Sequence, residues 1–170
     1  MGLFDIFKSD KNANDTQSTN SETIFSPITG ELKNIGECAD PVFAQELVGK
    51  GVLVLPSEGK LYSPVDGTIS MLAETGHAVG ITSTMGAEIL IHIGLDTVEL
   101  QGEPFTTHLE KDAQVKQGDL VLEFDIDQIK AAGKATESPV IVTNPDDFEL
   151  KVQSSGPVKY GDPIIEIKKK

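Results

Sequence analysis

The chain's capacity for chemistry rests first on three histidines, His77, His92 and His108. His92 lies in Glu88-Ile89-Leu90-Ile91-His92-Ile93-Gly94. Strand alternation puts Ile89, Ile91 and Ile93 on one face and Glu88, Leu90 and His92 on the other. The isoleucines define the buried face, so His92 points to the opposite side, beside Leu90. His77 lies one strand earlier, across the turn Ser83-Thr84-Met85-Gly86. If Ser83 and Gly86 close that turn, antiparallel pairing sets His77 directly opposite His92, with Cβ atoms about 4.5–5.5 Å apart. A slip of one residue would send His77 to the wrong face.

Two facing imidazoles suit covalent phosphoryl carriage. Near an unperturbed pKa of about 6.5 a histidine is roughly three-quarters neutral at pH 7, and a neutral imidazole is a nucleophile. The attacking nitrogen must be bare, which follows when the other nitrogen donates to a backbone carbonyl such as that of Gly94. The second histidine can then donate to the phosphoryl oxygens, an interaction worth about 1.5–3 kcal/mol. Thr75, two residues before His77, is placed to hold that ring. A zinc hydrolase is the second reading, but such a site wants three protein ligands and a water. The sequence has no His-x-His and no His-Glu-x-x-His, so a partner would have to lend the missing ligand. The third reading is a pair that packs without chemical function.

Other candidates are weaker. His108 has no evident titratable partner and reads as a surface residue. Cys38, the only cysteine, has Glu37 and Asp40 beside it, which would raise its pKa and leave it inert. VGKGV (48–52) lacks the strand, loop and helix setting of a nucleotide-binding loop. Asp40, Asp66, Asp96 and Glu99 read as solvated acids. Asp96, if near His92, would attract a basic partner and oppose a carried phosphoryl charge, by about 2 kcal/mol per unit-charge pair at about 8 Å and an effective dielectric of about 20.

The elements that must position these residues fit one domain. The 170 residues include 14 Lys, no Arg and 27 Asp or Glu, for a net charge of −13, which tells against nucleic acid as a partner. The 38% apolar content supports a core, while 5% aromatic residues give no stacking platform. A single cysteine fits a reducing compartment. No apolar run nears the roughly 20 residues needed to span a bilayer, and no signal peptide is evident, so a cytoplasmic location is expected. MGLFDIFKS (1–9) would place Leu3, Phe4, Ile6 and Phe7 on one greasy helical stripe, either a frayed tail or a weak membrane contact. DKNANDTQSTNS (10–21) reads as a flexible linker. The predicted organisation is a tail over 1–21 and a domain over 22–170.

Within that domain Gly, Pro, Asn and Asp recur every eight to twelve residues between β-branched runs, the spacing of an all-β sandwich or barrel. Strands are predicted over 52–56, 60–63, 67–72, 78–83, 87–94, 119–124, 139–144 and 162–168. One helix is predicted, over 125–133, with a further helical turn near 96–99. SPITGEL (26–32) returns as SPVDGTI (63–69), and VKQGDLVLEF (115–124) returns as VKYGDPIIEI (158–167). These repeats point to an internal duplication, ordered alike within each half. The Val-Lys-x-Gly-Asp turns also suggest a lipoyl- or biotinyl-type carrier, but no exposed lysine sits between matched apolar residues at a hairpin tip.

SPVDGTI (63–69), ETGHAVGI (74–81), ILIHIGLDTVELQGEPF (89–105), VKQGDLVLEFD (115–125) and DPVFAQELVGKGV (40–52) together resemble the glucose-type IIA component of the bacterial phosphoenolpyruvate-dependent sugar phosphotransferase system. The likeness runs from about Thr23 to Lys168. It implies an antiparallel β-sandwich of duplicated hybrid type with at most short helices. It also implies His92 as the phosphorylated residue, His77 as its phosphate-stabilising neighbour and Thr75 as the residue that orients His77. The donor would be the histidine phosphocarrier protein HPr, and the acceptor a cysteine on a glucose-type IIB domain of the IIB/IIC permease. The partner-facing residues would be Asp40, Phe43, Leu90 and Asp96. No cofactor is required. In some relatives the two histidines bind zinc with a partner's glutamate, which would make His77 and His92 a partner-dependent metal site. Residues 1–9 resemble the membrane-seeking N-terminus of enteric stand-alone members, implying a peripheral contact at the inner face of the membrane. Enteric members ring the hollow with phenylalanines that grip regulated permeases and glycerol kinase. Here Phe43 matches, but Ala73 and Leu90 stand where aromatics would be, so the resemblance does not carry inducer exclusion with it.

Overall fold

The computed structural model describes residues 20–153 and 155–170; the segment 1–9 and nearly all of the predicted linker lie outside the described residues. In chain order the elements are β1 (Ser21–Phe25), β2 (Gly30–Asn34), α1 (Pro41–Ala44), β3 (Lys50–Pro56), β4 (Lys60–Tyr62), β5 (Gly67–Leu72), β6 (Ala78–Ser83) and β7 (Glu88–His92). They continue with β8 (Phe105–Thr107), β9 (Gln114–Val115), β10 (Leu120–Phe124), α2 (Ile126–Ala131), β11 (Ser138–Val142), β12 (Phe148–Val152), β13 (Gly156–Val158) and β14 (Pro163–Lys169). Single 3-10 turns occupy Ile35–Glu37, Thr97–Leu100 and Pro145–Asp147.

The strands form one eight-stranded sheet, β13-β2-β3-β11-β7-β6-β5-β9, and two three-stranded sheets, β1-β14-β12 and β4-β10-β8. All the pairings are antiparallel. Alternation explains the layering. Val52, Val54, Ile81, Ile89, Ile91, Val140 and Val142 from the large sheet share one buried cluster with Ile24, Leu122, Ile165 and Ile167 from the small ones. The fold is the expected β-sandwich. Several strands went unpredicted because their pattern is broken by charge: SETIF, GELKN and FELKV carry only one to three apolar residues each.

The central strand β11 is buried along its whole length. Val140 and Val142 fill the core between the sheets, while Ile141 joins Leu53, Phe43, Ile35 and Cys38 in a second cluster on the outer face. Helix α1 caps that cluster. It starts at Asp40, whose carboxylate accepts the Val42 N–H at 2.9 Å, with Pro41 in the first turn. Four residues are too few for periodicity to reveal, so α1 corrects the expectation of a single helix. The predicted helix is α2, capped by the Asp125 carboxylate at the Gln128 N–H and ended by Gly133 at φ 80°.

The duplication is written in hydrogen bonds. Ser26 and Ser63, both buried, donate to the carbonyls of Ile28 and Val65 at 2.7 and 2.6 Å. Asp162 and Asp119 each accept the backbone N–H three residues back, from Lys159 and Lys116, at 2.8 Å. Gly161 and Gly118, at φ 90° and 93°, donate to the carbonyls of Ser26 and Ser63, both at 2.9 Å. The copies are nested, however. The first serine turn meets the second Gly-Asp turn and the second meets the first, so β2 pairs β13 and β5 pairs β9. This corrects the expectation of tandem halves. The large sheet accordingly reads alike from either end, and β11 and β7 meet at its centre.

Because the two serine turns make the same bonds, Ser26→Ala and Ser63→Ala should each lower the unfolding free energy by about 1 kcal/mol. Urea denaturation checks this, and a gap above about 1 kcal/mol between the two variants would show that the turns are not equivalent.

Candidate functional site

The two histidines meet on the outer face of the large sheet, by a route different from the predicted one. Ser83 is followed by a four-residue connection, with its N–H donating to the Ala87 carbonyl at 2.8 Å. The register then pairs Ala78, not His77, with His92. The predicted direct opposition is therefore off by one residue. The rings still converge: their centroids lie 5.1 Å apart at an interplanar angle of 75°.

Convergence survives because His77 lies outside β6, where side-chain alternation no longer binds it. It follows a turn in which Gly76 takes φ 79° and donates its N–H to the Ala73 carbonyl at 2.8 Å. The strand end is still anchored, since the Ile93 N–H donates to the His77 carbonyl at 2.7 Å. The His77 ring is held by Thr75, whose Oγ1 lies 2.5 Å from Nδ1. Opposite His92 stands the methyl group of Ala78, which leaves room for the second ring.

His92 Nδ1 lies 2.7 Å from the Gly94 carbonyl oxygen. A carbonyl can only accept, so Nδ1 carries the proton and Nε2 of the neutral ring is bare. Gly94 adopts φ 70°, and an added Cβ would approach the Ala135 carbonyl oxygen and Thr97 Cγ2 to 2.6 Å. Glycine is thus required where this carbonyl turns back to the ring. Phe43 closes one side, its ring centroid 5.5 Å from that of His92.

Burial lowers the His92 pKa from its ordinary 6.5, while the Gly94 bond and the charges of Asp40 and Asp96 pull it upward. Burial lowers His77 as well, reinforced by the neighbouring charge on His92. Both rings are therefore predominantly neutral at pH 7.

Asp40 and Asp96 both lie within electrostatic reach of His92, and Leu90 packs with Phe43 in the outer cluster. Phe43 is only 7% exposed and supports the site from below; on its helix and just beyond, Val42 and Leu47 are 43% and 70% exposed. His108 has a partner that the sequence did not disclose, as its Nε2 meets Glu123 Oε2 at 2.7 Å. Cys38 has a raised pKa, with burial as the leading cause and the charges of Glu137 and then Asp40 adding to it, where the sequence pointed to Glu37 and Asp40. Glu137 also accepts the Ala39 N–H at 3.1 Å. Ser138 and Thr97, both buried behind Gly94, gave no signal in a linear reading.

A family model for the phosphoenolpyruvate-dependent sugar phosphotransferase system, EIIA 1, matches residues 22–148. The chain belongs to this family. It is 47% identical over 153 residues to the PTS system beta-glucoside-specific EIIBCA component of Halalkalibacterium halodurans, covering 89% of this chain and 24% of that protein. It is 44% identical over 147 residues to the protein of the same description from Dickeya chrysanthemi, covering 86% of this chain and 23% of that protein. The chain thus spans about a quarter of the length of these relatives. The glucose permease IIA from Mycoplasma capricolum matches with a TM-score of 0.82 and 32% identity, over 86% of this chain and 95% of that one. The sandwich is thus of the glucose permease IIA type.

As a metal centre this EIIA site is partial. Both Nδ1 atoms are engaged, which leaves one nitrogen on each ring, and the described residues contain no cluster of three or more His, Cys, Asp or Glu able to hold a metal. Two donors fall short of the set zinc takes. Among the described residues no helix is long and apolar enough to cross a membrane.

Lowered histidine pKa values fix the sign of a stability effect. Below about pH 6.5 the unfolded chain binds protons that the folded one refuses, so stability falls as pH drops toward the folded values. Nuclear magnetic resonance titration should place both midpoints below 6.5, and urea unfolding from pH 7 to 5 should show a shallower loss in His77→Ala/His92→Ala than in the parent.

Proposed function

We propose that His92 accepts a phosphoryl group on Nε2 from phosphorylated HPr and passes it to the cysteine of a glucose-type IIB domain during sugar uptake. The observation that carries this reading is the convergence of two rings whose Nδ1 atoms are both engaged, so that each turns its Nε2 to the shared space. The Gly94 carbonyl accepts the hydrogen bond of His92 Nδ1–H, which leaves a lone pair at Nε2. When the Thr75 hydroxyl donates to His77 Nδ1, the proton of that neutral ring sits on Nε2 as a donor.

The His92 Nε2 lone pair forms the new N–P bond as the donor's P–N bond breaks, and the bonding pair returns to the donor's nitrogen. No base is needed, because Nε2 holds no proton to remove. His77 Nε2–H then donates to a phosphoryl oxygen. In the second step a IIB thiolate attacks phosphorus and the N–P pair returns to His92. Asp40 and Asp96 repel the bound dianion, which keeps the group transferable.

Exposed Val42 and Leu47, with Leu90 nearby and the carboxylates of Asp40 and Asp96, offer an apolar and acidic face suited to a basic partner. The relatives' specificity for beta-glucosides points to a IIB/IIC partner of the glucose and beta-glucoside class. Zinc fits only where a partner adds a ligand to His77 and His92. A cytoplasmic setting supplies both HPr and IIB.

Incubation with phosphoenolpyruvate, Enzyme I and HPr should place one acid-labile, base-stable phosphate on each chain. His92→Ala should abolish it; an unchanged label on that variant would reject the assignment. His77→Gln should still be labelled but pass the group on roughly 10- to 100-fold more slowly, the loss expected for one charged hydrogen bond. Normal onward transfer by His77→Gln would remove the supporting role.

A further inference from the structure

His92 is oriented through Gly94, and Gly94 is in turn held by the segment that leads into β11. The Gly94 N–H donates to Ser138 Oγ at 3.2 Å, and that hydroxyl donates to the Thr136 carbonyl at 2.8 Å. The next peptide plane, which contains the Gly94 carbonyl, is tied by the Leu95 N–H to the Ala135 carbonyl at 3.1 Å. Ser138 is wholly buried, so no water substitutes for its oxygen. Both peptide planes flanking the left-handed residue are thus pinned to 135–138, and among the described residues Ser138 is the one side chain besides His92 that hydrogen-bonds the Gly94 backbone. On the far side, Thr97 Oγ1 donates to the Ile93 carbonyl at 2.5 Å and closes the turn.

We propose that Ser138 is a positioning residue for phosphoryl acceptance: its hydroxyl fixes the Gly94 peptide so that the Gly94 carbonyl accepts the hydrogen bond of His92 Nδ1–H, which keeps the proton on Nδ1 and leaves Nε2 bare. This rests on the reading of His92 as the acceptor. Ser138 touches neither ring and acts only through the backbone. In its absence the freed Gly94 N–H has no buried acceptor, the turn shifts to find one, and the carbonyl leaves the ring. His92 then populates both tautomers, and the form protonated at Nε2 cannot attack phosphorus.

The test compares the parent with Ser138→Ala and the near-isosteric Ser138→Cys, all labelled with 15N-histidine. Long-range nitrogen–proton spectra report which ring nitrogen of His92 holds the proton. The parent should show Nδ1–H alone. Ser138→Ala should show a mixture, with phosphorylation by phospho-HPr slowed about tenfold and the His77 pattern unchanged. Ser138→Cys, whose thiol is a poor acceptor, should fall between them and decides the matter if Ser138→Ala does not fold. A folded variant with the parental His92 tautomer and parental rate overturns the proposal. If the parent itself takes no phosphate, the relay reading fails on its own, and the tautomer comparison still decides whether Ser138 governs the His92 ring.

Discussion

The Gly94 carbonyl can accept a hydrogen bond but never donate one, and this one-way bond governs the site. It forces Nδ1 of His92 to hold the proton and so makes Nε2 the reactive atom. No titration or catalytic base is needed to prepare the nucleophile, because backbone geometry has already done so. The requirement then passes outward. The carbonyl faces the ring only because Gly94 is left-handed, and it stays there because β11 and its approach hold the turn. The environment completes the effect, since burial suppresses protonation of both rings and keeps the nucleophile neutral at lower pH than a free histidine.

A second constraint comes from the sheet's two faces. The central strands bury one face in the sandwich core and yet carry apolar groups on the other, where Ile141, Leu53 and Leu90 lie around Phe43. That outer patch does not stabilise the sandwich interior. It seats α1, which brings Asp40 to the site edge and sets Phe43 beside His92. The site therefore rests on the ends of the central strands β6 and β7 and the turns that flank them, with the acidic and apolar groups arranged around the nucleophile. The nested duplication contributes the frame, since paired serine and Gly-Asp turns lock both ends of the large sheet with the same bonds.

Much of this was legible in the chain. Alternation in Glu88–Gly94 set His92 apart from three core isoleucines, and turn residues marked the bounds of β5 and β6 to the residue. Other features were opaque for physical reasons. The β6–β7 register hung on one residue of loop length, so the predicted opposition of His77 and His92 slipped to Ala78. The rings meet nevertheless because Gly76 turns the chain before His77 enters the strand. Helix α1 was too short for periodicity, and the His108–Glu123 pair joins residues that only the pairing of strands brings together.

The sequence by itself determined the β class, the repeated turns, the family likeness and the identity of the residues able to react, because side-chain period, glycine placement and residue chemistry are local properties. The tertiary structure alone decided which atom of His92 is free, how far apart the two rings stand, and that Ser138, 44 residues beyond Gly94 in the chain, lies behind it. Those outcomes depend on the register of separate strands and the direction of single peptide planes, which local pattern does not encode.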